Sequence, residues 1–405
     1  MTDTSTRPAY SPATPAISAP PITLILCALG MGGFAIGITE FATMSLLPDF
    51  ARSLHIDAPT AGHAISAYAL GVVVGAPAIT ILAAKMRRRT LLIGLMIVFA
   101  LGNLLAAFSQ NYPQMLAFRF LSGLPHGAYF GIATLVAASL VPRDQRVKAS
   151  AYVLLGLTIA NIIGTPFANL LGQIAGWRSC FIVVAVLAIM TAGLVWRIVP
   201  DEAPDAKANP LRELGALKKP QVWLTLGIGA IGFGGMFSVY TYLADTMTHV
   251  TGVSQKMVPL ALMLFGIGMF SGSLIIPRFE RFGLLKPAAG VLLFSAIALS
   301  LYWFTAAHLP LLLLNVVAIG MGGMLAPLLQ TRLMDVAGDA QALAAALNHS
   351  AFNAANALGP FLGGLAISAG YGWQSTGPVG AGLALGGLAI LGVSVLVERD
   401  AKPSL

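Results

Sequence analysis

The sequence predicts an all-α polytopic membrane protein, with twelve transmembrane helices in two pseudo-symmetric six-helix halves. Three observations lead there. Only 9% of the 405 residues are charged and 57% are hydrophobic, with a mean hydropathy of +0.83. A soluble chain carries about 25% charged residues, and this much apolar surface does not fit one soluble core. Apolar runs of helical length recur from end to end, and roughly 20 such residues cross a bilayer. The cations fall between those runs, and alternate gaps are strongly basic.

The runs are taken in order. The first, 22–47, follows a tail (1–21) rich in Pro, Ser, Thr and Ala with one cation, Arg7. The tail lacks the charged start and short apolar stretch of a cleaved signal, so it reads as a disordered cytoplasmic tail before an uncleaved anchor. The second and third runs, 61–83 and 90–109, flank Lys85, Arg87, Arg88 and Arg89. The polar triplet Ser109–Gln110–Asn111 and Pro113 divide the third from the fourth, 112–140. The fifth and sixth, 149–174 and 178–199, complete an N-terminal bundle (22–199). A polar stretch at 200–220, PDEAPDAKANPLRELGALKKP, is the longest between runs and reads as a cytoplasmic linker. Runs at 221–245, 257–277, 286–307, 309–334, 340–369 and 374–397 form a C-terminal bundle (221–397) before a short tail (398–405).

Orientation follows from the cations. Arg7, Lys85, Arg87, Arg88, Arg89, Arg143, Arg146, Lys148, Arg197, Lys207, Arg212, Lys218, Lys219, Arg278, Arg281, Lys286, Arg332, Arg399 and Lys402 share one side, which is 19 of the 23 Lys and Arg. The other side holds Arg52, Arg178 and Lys256, and Arg119 lies inside a run. Both termini are therefore expected in the cytoplasm. The halves also look duplicated. Asn161 and Gly164 recur as Asn356 and Gly359, Trp177 has a counterpart in Trp373, and Gly71 and Gly75 precede a basic loop as Gly268 and Gly272 do. Internal duplication is a common transporter architecture.

Several stretches resemble the major facilitator superfamily, in particular its twelve-span drug:proton antiporter branch and the arabinose efflux permease-like group within it. They are GITEFATMSLLP (37–48), AGHAISAYALGVVVGAP (61–77), RFLSGLPHGAYFG (119–131) and ANIIGTPFANLLGQIAGWR (160–178). The resemblance covers 22–397. It implies the major facilitator fold, and secondary active transport by alternating access in a plasma membrane (a bacterial inner membrane). The expected function is proton-coupled efflux of a small organic solute such as a sugar-like compound, nucleoside or drug. A proton-coupled importer or a facilitator is the nearest alternative, and a transport-derived sensor or a membrane-embedded enzyme is a more distant one. The implied partners are the solute, protons and the bilayer. No cofactor is implied, since the proton gradient supplies the energy, about 2.3 kcal/mol per charge per 100 mV. In one place the chain departs from the family pattern. LAAKMRRR (82–89) puts Ala84 where an aspartate usually precedes the loop cations Lys85, Arg87, Arg88 and Arg89, which leaves the resting conformation open.

Glu40 and Arg119 are ionisable groups inside apolar runs, where such groups are costly and read as functional. Both fall about seven residues, or roughly 10 Å, from the non-basic side. The resemblance places the first, fourth, seventh and tenth spans around a central cavity, so the two can approach one another. Glu40 is expected to carry the proton with Arg119 as its charge partner; a static ion pair that fixes packing, and no contact between the two, are the competing readings. His126, seven residues after Arg119, shares its helical face and is a candidate proton relay or a neutral packing group. Tyr129, Phe237, Tyr240 and Gln330, with His349 and Asn353 of the eleventh span, are candidate substrate-cavity residues. His349, Asn353 and Asn356 form a polar stripe that lipid cannot satisfy; it touches substrate or bonds neighbouring helices. Gly71, Gly75, Asn161, Gly164, Pro166, Asn356 and Gly359 are assigned to helix packing and gating. His63 reads as a solvated helix end, and Asp245 as a solvated helix end or a group that attracts cations at the cavity mouth.

Other classes are poorly supported. No basic stripe with interleaved aromatics argues for nucleic acid. GIGAIG (227–232) matches a dinucleotide fingerprint but sits in an apolar run with no preceding strand. Cys27 and Cys180 belong to opposite faces and lack metal-ligand spacing, so neither a disulfide nor a metal site is expected. No hydrolase or nucleotide-hydrolysing motif is present, and the chain does not read as an enzyme.

Overall fold

The computed structural model describes residues 21–83, 85–142, 145–201, 214–338 and 340–400. The tail 1–20, the position of Ala84, most of the linker (202–213) and the end 401–405 lie outside the described residues. Eleven helical rods among the described residues are long and apolar enough to cross a membrane: span 1 (Ile22–Ser45), span 2 (Ala58–Leu82), span 3 (Arg88–Ala107), span 4 (Tyr112–Ser139), span 5 (Ala149–Ala175), span 6 (Arg178–Ile198), span 7 (Pro220–Thr241), span 8 (Gln255–Ile275), span 9 (Leu285–Thr305), span 10 (Leu309–Ala337) and span 12 (Trp373–Glu398). Span 11 is the 26-residue helix Gln341–Ala366. It is long enough to cross, but Asn348, His349, Asn353 and Asn356 make it the more polar rod.

Local chemistry sets the boundaries. Asp57 caps span 2 by accepting from the Thr60 amide at 2.8 Å, and Asn111 caps span 4 by accepting from Gln114 at 3.0 Å. Each cap satisfies an amide that has no helical partner. Span 4 is jointed at Leu124–Pro125 between Tyr112–Gly123 and His126–Ser139. Span 5 widens into a π-turn at Ala160–Gly164 just before Pro166, because proline has no N–H to return to the preceding turn. Span 7 ends earlier than 245. A separate helix, Leu243–His249, follows it.

Spans 1–6 pack on one another, as do spans 7–12, and glycines hold both groups at close approach. A Cβ on Gly71 would overlap the Phe120 carbonyl oxygen and one on Gly75 that of Leu124, which brings span 2 onto span 4. Gly268 meets the Val317 carbonyl in the same way, bringing span 8 onto span 10. Gly156 against Gly30 joins spans 5 and 1, and Gly359 against Gly234 joins spans 11 and 7. A Cβ on Gly164 would lie 2.7 Å from Ile38. The two groups meet through span 2 on span 11 and span 5 on span 8. A pseudo-twofold that adds six to a span number exchanges these two contacts.

The helix ends joined by the basic loops form one face, and the ends near 46–57, 108–111, 242–254 and 367–372 form the far face. Hydrogen bonds between the halves lie toward the far face. Gln255 donates to the Asp49 carboxylate at 3.1 and 3.3 Å, Gln173 donates to the Gln255 carbonyl at 3.1 Å, and Ser66 donates to the Ala357 carbonyl at 3.0 Å. The deepest joins Ser350 to the Val73 carbonyl at 3.4 Å, about 14 Å short of the basic end of span 2 at 1.5 Å per residue. At the basic face Arg87 pairs with Asp201 at 2.5 Å, Arg89 donates to the Trp196 carbonyl, and Lys85 is exposed.

Candidate functional site

Glu40 sits five residues before the far end of span 1 and is 6% exposed; Arg119, in the first half of span 4, is 0% exposed. The expected ion pair between them does not form. Arg119 instead donates from Nη1 to the Thr39 hydroxyl at 3.1 Å and from Nη2 to the Thr39 carbonyl at 3.5 Å. Its guanidinium lies 4.3 Å from the Tyr68 ring centroid and 5.6 Å from that of Phe181. The geometric reason is that Thr39 and Glu40 are consecutive on a helix and point about 100° apart, 3.6 residues making one turn, so a group docked on Thr39 is not presented to Glu40. The delocalised, weakly hydrated guanidinium suits aromatic faces. Thr39 passes the connection on, donating to Asn103 Oδ1 at 2.6 Å. Arg119 Nε has no partner.

Glu40 finds its partner in the other half. Asn356 of span 11 donates from Nδ2 to Glu40 Oε1 at 3.1 Å. Asn356, expected to touch substrate or to bond neighbouring helices, bonds a helix of the other half, unlike its repeat mate. Asn161 donates to its own helix at Leu157 (3.1 Å), whereas Asn356 crosses the interface. The Oδ1 of Asn356 is buried and has no partner. Next to Glu40, Phe41 of span 1 stacks on Phe237 (6.2 Å between centroids) and meets Tyr240 edge-on at 5.5 Å, which closes an aromatic seam between spans 1 and 7. The Tyr240 hydroxyl is buried without a partner.

A second path leads from Arg119 to the same span 11. Tyr68, under the guanidinium, hydrogen-bonds His126 Nδ1 at 2.9 Å. The rings of His126 and His349 are 6.0 Å apart, and Phe130 stacks on His349 at 5.2 Å with 6° between planes. The structure therefore brings together Glu40, Asn356, Phe237 and Tyr240 in one group, and Arg119, His126 and His349 in another. Asn353 donates to the His349 carbonyl at 3.1 Å, and its Oδ1 is unpartnered. Gln330 accepts from the Asn348 amide. Tyr129, expected at the cavity, is fully buried and donates to the Leu29 carbonyl at 2.7 Å.

Sequence reasoning missed three residues. Tyr68 and Thr39 carry the Arg119 contacts, and their signal was present: a hydroxyl and an aromatic inside the very stretches that bear the family resemblance. The third is Asp245, read as a solvated helix end. It is 3% exposed and its Oδ2 has no hydrogen-bond partner, because the far face is closed over it. Cys27 is exposed and Cys180 buried, both free. A cavity of about 450 Å³ lies elsewhere, at the basic end of spans 8–10, lined by Phe279, Phe282, Phe294, Met321 and Met324.

The chain matches the family description Major Facilitator Superfamily over residues 29–279 and 228–405. It is 38% identical over 376 residues to the inner membrane transport protein YdhP of Escherichia coli K12, which covers 93% of this chain and 96% of that protein. It is 33% identical over 380 residues to a chloramphenicol resistance protein of Streptomyces lividans, covering 92% and 95% of the two chains. In fold it resembles a bacterial homolog of the human lysosomal transporter Spinster, solved inward-facing and unoccupied, with a TM-score of 0.62 at 18% identity, covering 93% of this chain and 95% of that one. The chain accordingly belongs to the Major Facilitator Superfamily and is a multi-pass membrane transporter of small molecules, not an enzyme.

Proposed function

We propose that the protein exports a small organic solute in exchange for protons, by alternating access, from a bacterial inner membrane with both termini in the cytoplasm. The cation bias supports that orientation and makes the basic face the cytoplasmic one. The observation that carries the coupling is the bond from Asn356 to Glu40 across the halves. A primary amide offers a donor and an acceptor side by side, the complement of a neutral carboxylic acid. Asn356 Nδ2 meets Glu40 Oε1, and the unpartnered Oδ1 waits for a proton-bearing oxygen. Proton uptake at Glu40 therefore favours the halves closed on the far side. Proton loss withdraws that second bond and favours their separation.

Arg119 keeps a fixed positive charge near span 1 without neutralising Glu40 by direct pairing. Tyr68, His126 and His349 extend a polar path from it to the C-terminal half. The relatives support a range of candidate substrates: the chloramphenicol resistance protein favours a drug-like solute, and sugars and nucleosides are the other candidates. The test uses proteoliposomes with radiolabelled chloramphenicol as first probe and a panel of sugars and nucleosides beside it. Glu40→Gln is expected to abolish transport driven by a pH gradient while solute exchange without a gradient persists. Undiminished gradient-driven flux in that variant refutes the role given to Glu40.

A further inference from the structure

Asp245 occupies the helix Leu243–His249, just past span 7, where the C-terminal half meets the short helix Leu47–Leu54 of the N-terminal half. It is 3% exposed, and its Oδ2 lacks any partner. Its surroundings can be followed element by element. The short helix presents Asp49 and Arg52, and both act on Asp245 through space. They are already committed: Arg52 pairs with Asp49 at 2.6 Å, and Asp49 accepts from Gln255 across the halves. Tyr242 precedes Asp245, and Tyr302 of span 9 is buried beside it. On its own helix His249 bonds the Asp245 carbonyl at 2.9 Å and stacks on Trp373 at 5.3 Å. The turn Gln255–Met257 brings Lys256, which is exposed, and the rest of span 8 has no charged side chain.

Among the described residues no cation forms an ion pair with the Asp245 carboxylate, although His249 and Arg52 act on it through space, and a second carboxylate stands close by. A buried ionised carboxylate without a partner costs several kcal/mol, and the neutral acid far less. Separation of Leu243–His249 from Leu47–Leu54 would rehydrate the ionised group. We propose that Asp245 is a second proton-binding site, which seals the far face when it takes up a proton and lets that face open when it gives the proton up. The idea rests on the alternating-access reading, and adds to the Glu40 site an outer one that the exterior proton supply reaches first.

The test is a distance measurement between spin labels on Ser53→Cys and Lys256→Cys, exposed on the two halves of the far face, in a Cys27→Ser background of the full chain in nanodiscs. The closed fraction is followed from pH 5 to 9. Two proton sites predict a steep fall of the closed fraction as pH rises. Asp245→Asn is expected to remove one proton from that dependence, Glu40→Gln the other, and the double variant to be flat. Should Asp245→Asn fail to insert, Asp245→Ser is read by the same slope. A wild-type slope in the Asp245 variants overturns the proposal, as does a flat response in Glu40→Gln alone. A wild-type slope in Glu40→Gln with a flat one in Asp245→Asn upholds Asp245 and overturns the Glu40 reading instead.

Discussion

Asn356→Ala removes one side chain from the core of the interface, and the structure sets the size of the effect. The lost bond is the 3.1 Å contact to Glu40, in a place where Asn356 is fully buried and Glu40 nearly so. A buried group left without its hydrogen-bond partner costs about 1–3 kcal/mol. The bond joins the two halves, so in the proposed mechanism the loss falls on the state closed at the far side. At about 1.4 kcal/mol per decade, the ratio of closed to open molecules should drop roughly 5- to 150-fold. The spin-label pair on the far face reads this ratio directly. A double-mutant cycle with Glu40→Ala isolates the pair, since glutamine would keep an acceptor and a donor for the amide, and a coupling of about 1 kcal/mol or more is expected. A coupling below about 0.5 kcal/mol, the usual limit of additivity for independent sites, would refute the argument that Asn356 senses Glu40.

Other substitutions separate charge from geometry. Arg119→Lys keeps the charge but loses the planar stack on Tyr68 and the two donors to Thr39; gradient-driven flux in proteoliposomes should fall at least about tenfold, since an ammonium does not reproduce that fork, and full flux would show that the stack is irrelevant. Gly71→Ala should lower the thermal midpoint in detergent, because its Cβ overlaps the Phe120 carbonyl and overpacking costs about 1–3 kcal/mol. Gly94→Ala is the control. Nothing lies within 4 Å of a Cβ at that position, and alanine is the better helix former by about 1 kcal/mol, so the midpoint should hold or rise.

What could be read from residues alone was whatever depends on composition and on local spacing. Apolar length marked the spans because hydrocarbon forces the backbone to bond to itself. Asn111 and Pro113 marked the start of span 4 because caps are local. Repeated glycines marked close packing because only glycine admits a carbonyl oxygen at that distance. Those same features singled out Glu40 and Arg119 as charges with no business in lipid. Whom they face was not local. Thr39 intercepts Arg119, Asn356 claims Glu40 from the other half, and the closed far face buries Asp245. The first depends on how two helices of one bundle pack and the other two on how one six-helix bundle leans on the other, packing between residues up to 316 positions apart, beyond the reach of any helical period.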